Sequence, residues 1–382
     1  MQNPSNAQPS LARPQRLASL DWMRGFVMIL MIIDHASMAF NGSRLAVDSA
    51  GMYEIGTALP LDQFFTRWIS HICAPTFVFL AGTALALSVE RRLARGKSSW
   101  SIDRDMLIRG LFIALLDPTL ISLGSGRFTF QVLYAIGVAM MLLVPLRRLP
   151  GWLLLTIGFA WMVCGELITV LFWNPEIGLR SVVAALTVGI YSQPDLKIVY
   201  PLFPWLAIMV LGWVFGQYLA RYRSGAQVLL SPVRLLCGTG LILLGIFALV
   251  RGTNDYGNMF LLRQDGSLVQ WLFVSKYPPS LSFMSLELGL MFLCLALFMV
   301  VENIVTVRKN GPLLVFGQTA LFFYLVHRLV LEGIAHWFDY RGFGNLEETY
   351  ITATVMLVAL YPLCLWYRKA KQSHPKSLLR FI

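Results

Sequence analysis

Ten apolar runs long enough to cross a bilayer recur along the 382-residue chain and commit it to a bundle of membrane helices. They cover about 23–40, 68–88, 105–123, 128–146, 152–172, 201–219, 235–251, 281–300, 313–332 and 348–367. The fold class is therefore all-α, a polytopic transmembrane helix bundle of about ten spans. An eleventh span within 173–200 is the alternative, but SVVAALTVGI there is short and reads better as an interfacial or re-entrant helix.

A hydrophobic fraction of 57%, 13% charged residues and a mean hydropathy of +0.65 exclude an ordinary soluble globule. The net charge of +11 invites a nucleic-acid reading, yet the basic residues sit in short clusters between apolar runs, as topology determinants do. No nucleic-acid partner is expected. With the N-terminus inside, the loops 91–104, 147–151, 220–234 and 301–312 and both tails hold 19 of the 31 Lys and Arg. Both termini are thus expected in the cytoplasm, and the chain in a bacterial inner membrane. Residues 1–15, polar and without acid, read as a disordered cytoplasmic tail lacking the apolar core of a signal peptide. No repeat or composition break divides 16–370, which is expected to form one domain followed by a basic tail over 371–382. The five cysteines lie singly in apolar segments, so they read as packed thiols and no metal is implied.

Charge inside hydrocarbon costs from about 3 to more than 10 kcal/mol, so each intramembrane ionisable group asks for a reason. Asp34, His35, His71, Asp117, Glu166, Glu287, His327 and Glu332 come from six spans and fall in the outer half of each. A cavity open to the exterior would produce such a layer, although Glu332 and His71 lie close enough to helix ends to be merely wet. His35 suits acid–base work because imidazole titrates near neutrality; a histidine hydrogen-bonded between helices is its structural counterpart. Asp34 precedes it and points roughly 100° away on a helix, toward other partners. Lys276 and Pro278-Pro279 form a rigid lead-in to the helix of Glu287. Tyr324 and His327, three apart, share a helix face, suited to chemistry or to a mutual hydrogen bond.

Arg24 lies at the inner end of the first run, roughly 16 Å along the helix from His35. Its guanidinium, joined by Arg109, suits phosphate, or it snorkels at the interface. Gly212 and Gly216 in GWVFG offer a close helix contact. The chain has no P-loop, dinucleotide-binding glycine motif or G-x-S-x-G elbow.

The blocks RLASLDWMRGFVMILMIIDH, HICAPTFVFLAG, YPLFPWLAIMVLGWVFG, SKYPPSLSFMSLELG and FGQTALFFYLVHR together resemble the bacterial branch of the heparan-alpha-glucosaminide N-acetyltransferase-like family, over about residues 16–336. The spacing of Arg24 and His35 is also similar to that of broader membrane acyltransferase families. The resemblance implies transfer of an acetyl or longer acyl group from cytoplasmic acetyl-CoA to an amino or hydroxyl group of a sugar or glycan on the far side. It implies Arg24 and Arg109 at the CoA phosphates. His35 would be general base or acyl carrier, with His71 and Asp34 as further catalytic candidates. Asp117, Lys276, Glu287, Tyr324 and His327 would lie toward the acceptor. Lysosomal members carry asparagine near the end of this helix and a functional histidine in the following loop; the loop 41–60 here has none, so the role falls to His35 or His71. Acyl-CoA, a glycan acceptor and the bilayer are the implied partners, with a homo-oligomer an open option. A secondary transporter of a sugar, drug or anion is the alternative, although no paired halves with broken helices are visible.

Overall fold

The computed structural model describes residues 17–175, 178–179, 181–374, 377 and 379; the expected tail 1–15 and part of the basic tail 371–382 lie outside them. Fifteen α-helices follow in chain order among the described residues. They are α1 (Ala18–Phe40), α2 (Leu61–Trp68), α3 (Cys73–Leu93), α4 (Ser99–Leu116), α5 (Ser122–Ser125), α6 (Val132–Leu146), α7 (Gly151–Val170) and α8 (Val182–Thr187). Then come α9 (Leu202–Arg223), α10 (Pro232–Thr253), α11 (Leu268–Leu272), α12 (Leu281–Ile304), α13 (Pro312–Gln318), α14 (Ala320–Trp337) and α15 (Leu346–Ser373). The protein is a membrane helix bundle. Seven segments are long and apolar enough to cross, with α2 and α3 together making one of them; α13 and α14, bent by 89°, make an eighth if taken as one span. Helix α4 carries Asp103, Arg104, Asp105 and Arg109, and α6 has 15 residues, so these two of the ten expected spans fall short of that length and apolarity. The stretch SVVAALTVGI forms only the six-residue α8.

Helix α1 is the axis, touching α3, α12, α13, α14 and α15. Its first backbone donors are capped from a distance: Glu302 of α12 accepts from the amides of Ala18 at 2.7 Å and Ser19 at 3.0 Å. Gly25 lies so close to the Leu313 backbone that any side chain there would overlap it, which brings α13 against α1. A second close pair joins α3 to α9. Gly82 and Gly212 each face the other helix's backbone, and Thr83 Oγ1 lies 3.0 Å from the Gly212 carbonyl oxygen.

At the end of the bundle opposite the first turn of α1, the loops are folded over the helices. Phe128–Phe130 pairs parallel with Leu196–Ile198, which pairs antiparallel with Tyr191–Ser192, and Trp173–Asn174 pairs antiparallel with Gly178–Leu179, two small sheets in a mostly helical chain. Arg251, fully buried, gathers the 254–273 loop by donating to Asn258 Oδ1 at 2.8 Å and to the carbonyls of Leu261 and Phe273 at 2.9 and 3.0 Å. Neutral acceptors absorb its five N–H donors.

The α3–α9 contact makes a stability prediction. A Cβ at Gly216 would stand 2.6 Å from the Thr83 carbonyl and one at Gly212 would overlap the Phe79 backbone, whereas Gly238 on α10 has open space. Gly212→Ala should cost about 1–3 kcal/mol by overpacking, and Gly238→Ala should leave stability equal or slightly raised. Thermal unfolding of both variants in detergent checks this.

Candidate active site

Asp34 and His35 leave the same turn of α1 for different neighbours. Asp34 accepts from Arg44 Nη2 at 2.8 Å and from Arg67 Nη1 at 2.7 Å. Arg67, 7% exposed on α2, turns its other donors to Asp48 in the 41–60 loop: Nε lies 2.7 Å from Oδ2, and Nη2 donates to the same oxygen. Although burial alone would raise it, the Asp48 pKa is held well below the usual carboxylate range by Arg67 and then by His71. The Asp48 carbonyl accepts from the amides of Lys276 at 2.9 Å and Tyr277 at 3.2 Å. One arginine thus ties the end of α1, the 41–60 loop and the lead-in to α12 into one wall.

His35 faces α14. Its Nδ1 lies 2.6 Å from His327 Nε2, and His327 Nδ1 lies 2.7 Å from the Phe323 carbonyl oxygen. A carbonyl only accepts, so His327 Nδ1 carries the proton and, in the neutral ring, its Nε2 is a lone pair. His35 Nδ1 must then donate, which leaves His35 Nε2 as a bare acceptor. His327 is fully buried, whereas His35 lines a chamber of about 110 Å³ together with Asp34, Arg67, Lys197, Lys276 and Tyr324.

A cavity of about 1140 Å³ occupies the other half of the bundle. Its wall includes Arg24, Arg91, Arg109, Arg221, Arg223 and Lys371, close to the end of the bundle where α1 begins. Arg24 is oriented by Asp21 Oδ1 at 3.1 Å and the Leu80 carbonyl at 2.9 Å. Met31, Phe77, Val132 and Tyr324 line both spaces, so the large basic cavity and the small chamber meet at these four side chains.

A family model described as heparan-alpha-glucosaminide N-acetyltransferase, catalytic, matches residues 16–250, more than half of the chain. The chain belongs to this family. It is a membrane acetyltransferase by that membership and by its apolar helices. Acetyl-CoA is the family's general donor. No curated protein matches the chain. The match ends within α10, so Lys276, Glu287, Tyr324 and His327 of this acetyltransferase lie beyond it. Among the described residues no three His, Cys, Asp or Glu side chains assemble as a metal cage.

The residues singled out in the acetyltransferase's sequence divide sharply. Asp34, His35, Lys276 and Tyr324 line the chamber, and Arg24 and Arg109 line the large cavity. His71 is 2% exposed, set edge-on against the Phe283 ring with Nε2 3.3 Å from Asp48 Oδ1, and it reaches neither space. Asp117 is sealed too: its Oδ2 accepts from the amides of Gln131 and Tyr134, both at 2.8 Å, and caps the start of α6. Glu287 is buried on α12 and lines neither space. Glu332 pairs with Arg328 at 3.3 Å and with Arg341. Tyr324 and His327 form no hydrogen bond with each other. Their rings meet edge-on at 5.7 Å, because both ring nitrogens of His327 are engaged by Phe323 and His35.

Arg44, Asp48, Arg67, Lys197 and Tyr277 escape the sequence reading because each sits in a loop or at a span edge, where charge and aromatic residues are ordinary. The available signal is a negative one: Arg44, Arg67, Lys197 and Lys276 are cations in segments that the charge bias of the sequence assigns to the cation-poor side.

Removing Arg67 takes the arginine partner from Asp48 and leaves Asp34 with Arg44 alone, so Arg67→Met should destabilise the protein by about 3–5 kcal/mol. Adding Asp48→Asn should recover part of that loss, a coupling that a double-mutant thermal-unfolding cycle measures. Because the folded Asp48 pKa is depressed, its contribution is fully present above about pH 4 and lost as the pH falls through the folded value. Asp48→Asn should therefore flatten the acid limb of the melting-temperature profile.

Proposed function

We propose that the protein carries an acetyl group from acetyl-CoA in the large basic cavity to an amino or hydroxyl group of a sugar in the small chamber, with His35 as general base. The single observation that carries this reading is the meeting of the two spaces at Met31, Phe77, Val132 and Tyr324, with His35, whose Nδ1 is taken up by His327, in the wall of the chamber. CoA needs room and cationic partners for its phosphates, and Arg24 and Arg109 offer them at the wall of the larger space. Its thioester end then lies at the constriction, within reach of the chamber.

The acceptor's N–H or O–H attacks the thioester carbonyl carbon, and its proton passes to His35 Nε2 as the new bond forms. The C–S bond breaks, and the CoA thiolate leaves with the electron pair into the large cavity. The positive charge gained by His35 is shared toward His327, whose Nε2 accepts the Nδ1 proton. His327 thereby acts as a positioning residue, holding the tautomer that leaves the reactive nitrogen bare. The positive-inside bias supports the large cavity as the cytoplasmic side and the chamber as the outer one, in an inner membrane.

Thermal stabilisation of purified protein by acetyl-CoA and acetyl transfer to glucosamine test this together. Native protein should be stabilised by acetyl-CoA in a saturable way. Arg24→Ala should weaken that response at least tenfold in concentration. His35→Ala should keep it while losing about 10²–10⁴-fold in turnover. His327→Ala should retain more activity than His35→Ala and shift the pH–rate profile. Full turnover by His35→Ala would remove the general-base role. A native protein indifferent to acetyl-CoA would favour the transporter alternative.

A further inference from the structure

The chamber holds more positive charge than its own carboxylates neutralise. Four cationic side chains, Arg44, Arg67, Lys197 and Lys276, face two carboxylates, Asp34 and Asp48. Both carboxylates are already engaged: Asp34 by the two arginines, Asp48 by Arg67 and His71. Lys276 is 3% exposed, and among the described residues its ammonium has neither an ion-pair nor a hydrogen-bond partner; its Nζ lies 5.4 Å from the centroid of the Tyr277 ring. Glu287, the next carboxylate on α12, is buried outside the chamber and forms no ion pair with it.

Lys197 adds a second unpaired ammonium from another element. The strand pairing of Thr129 with Lys197 fixes its position in the chamber wall, and burial presses its pKa down to about 8. Arg44 Nε is buried without an acceptor as well. Two ammonium groups from two separate segments, Lys197 and Lys276, therefore line one space without an anion to receive them. A buried ammonium without a partner is destabilising, whereas one that meets a carboxylate or phosphate forms a charge-assisted hydrogen bond.

Resting on the acyltransferase reading, we propose that the acceptor is an anionic sugar, whose carboxylate or phosphate is held by Lys276 and Lys197 while His35 faces the group to be acylated. The two lysines come from the β-paired loop before α9 and the loop before α12, so the anion would also pull those loops together. Its charge gives the chamber a means of rejecting uncharged sugars: without the anion, both ammonium groups stay unpaired in the chamber wall.

The test uses full-length protein with glucosamine, glucosamine 6-phosphate and glucosaminuronic acid, read first by thermal stabilisation without acetyl-CoA and then by acetyl transfer. At least one anionic sugar should stabilise native protein at a tenfold or more lower concentration than glucosamine, and the phosphate and carboxylate arms separate the two sources of charge. Lys276→Met should collapse that preference, and Lys276→Arg should keep part of it. If Lys276→Met fails to fold, Lys197→Met carries the comparison. Equal binding of neutral and anionic sugars by native protein overturns the proposal, as does a preference that survives both lysine-to-methionine changes. Lysine variants that slow transfer to glucosamine as much as to the anionic sugars also overturn it, since the lysines would then serve the reaction's oxyanion. Lysine-dependent binding of an anionic sugar without any transfer from acetyl-CoA would uphold the anion site and sink the acyltransferase reading.

Discussion

Arg67 and its two carboxylates are the constraint on which the chamber's half of the protein depends. Three ionised groups buried together are poor stabilisers, because desolvation offsets most of their attraction. Their value is positional. Arg67 cannot satisfy Asp34 and Asp48 at once unless α2, the end of α1 and the 41–60 loop adopt one arrangement, and Asp48 then fixes the backbone of Lys276 and Tyr277. The chamber wall is thus aimed by electrostatics, while a separate apolar cluster around Phe64, Leu261 and Phe273 packs α2 against the 41–60 loop. The half of the bundle around the large cavity is held differently, by close glycine contacts such as Gly25 on Leu313 and Gly317 on Asp21.

These two ways of holding helices suit the two spaces they enclose. A space of about 1140 Å³ between helices needs struts that leave it open, and backbone-to-backbone contact at glycine gives rigidity without filling volume. The chamber, about a tenth of that size, needs its few polar groups aimed, which buried ion pairs with fixed geometry accomplish. Helix α1 passes through both regimes: Arg24 stands in the first, Asp34 and His35 in the second, and Met31 at the junction.

How much of this was legible in the sequence follows from the same division. The helices were legible, since long apolar runs allow little else, and so were Arg24, Asp34 and His35, whose charge contradicts its apolar surroundings. The layer of eight ionisable residues was only half a site. Asp117 and Glu332 share its depth but spend their charge on a helix start and on neighbouring arginines, and depth carries no information about direction around a helix. The loop residues Arg44, Asp48 and Lys197 were invisible for the opposite reason: their charge is unremarked until the fold buries it. Pairing a residue near position 48 with one near 67 and another near 276 is a tertiary fact that no local pattern encodes.

The histidine pair is where local and tertiary information combine most tightly. His35 by itself is an imidazole of undefined tautomer, equally able to offer or to accept a proton. The Phe323 carbonyl, one turn before His327, removes that freedom, because an acceptor on one nitrogen of His327 fixes its other nitrogen as a lone pair and so fixes His35 in turn. A backbone group outside the chamber's lining thereby fixes which nitrogen of His35 carries the proton. The same chain explains why Tyr324 remains available at the junction of the two spaces: with both nitrogens of His327 engaged, its hydroxyl has no histidine to bond and stays with the wall that donor and acceptor would share.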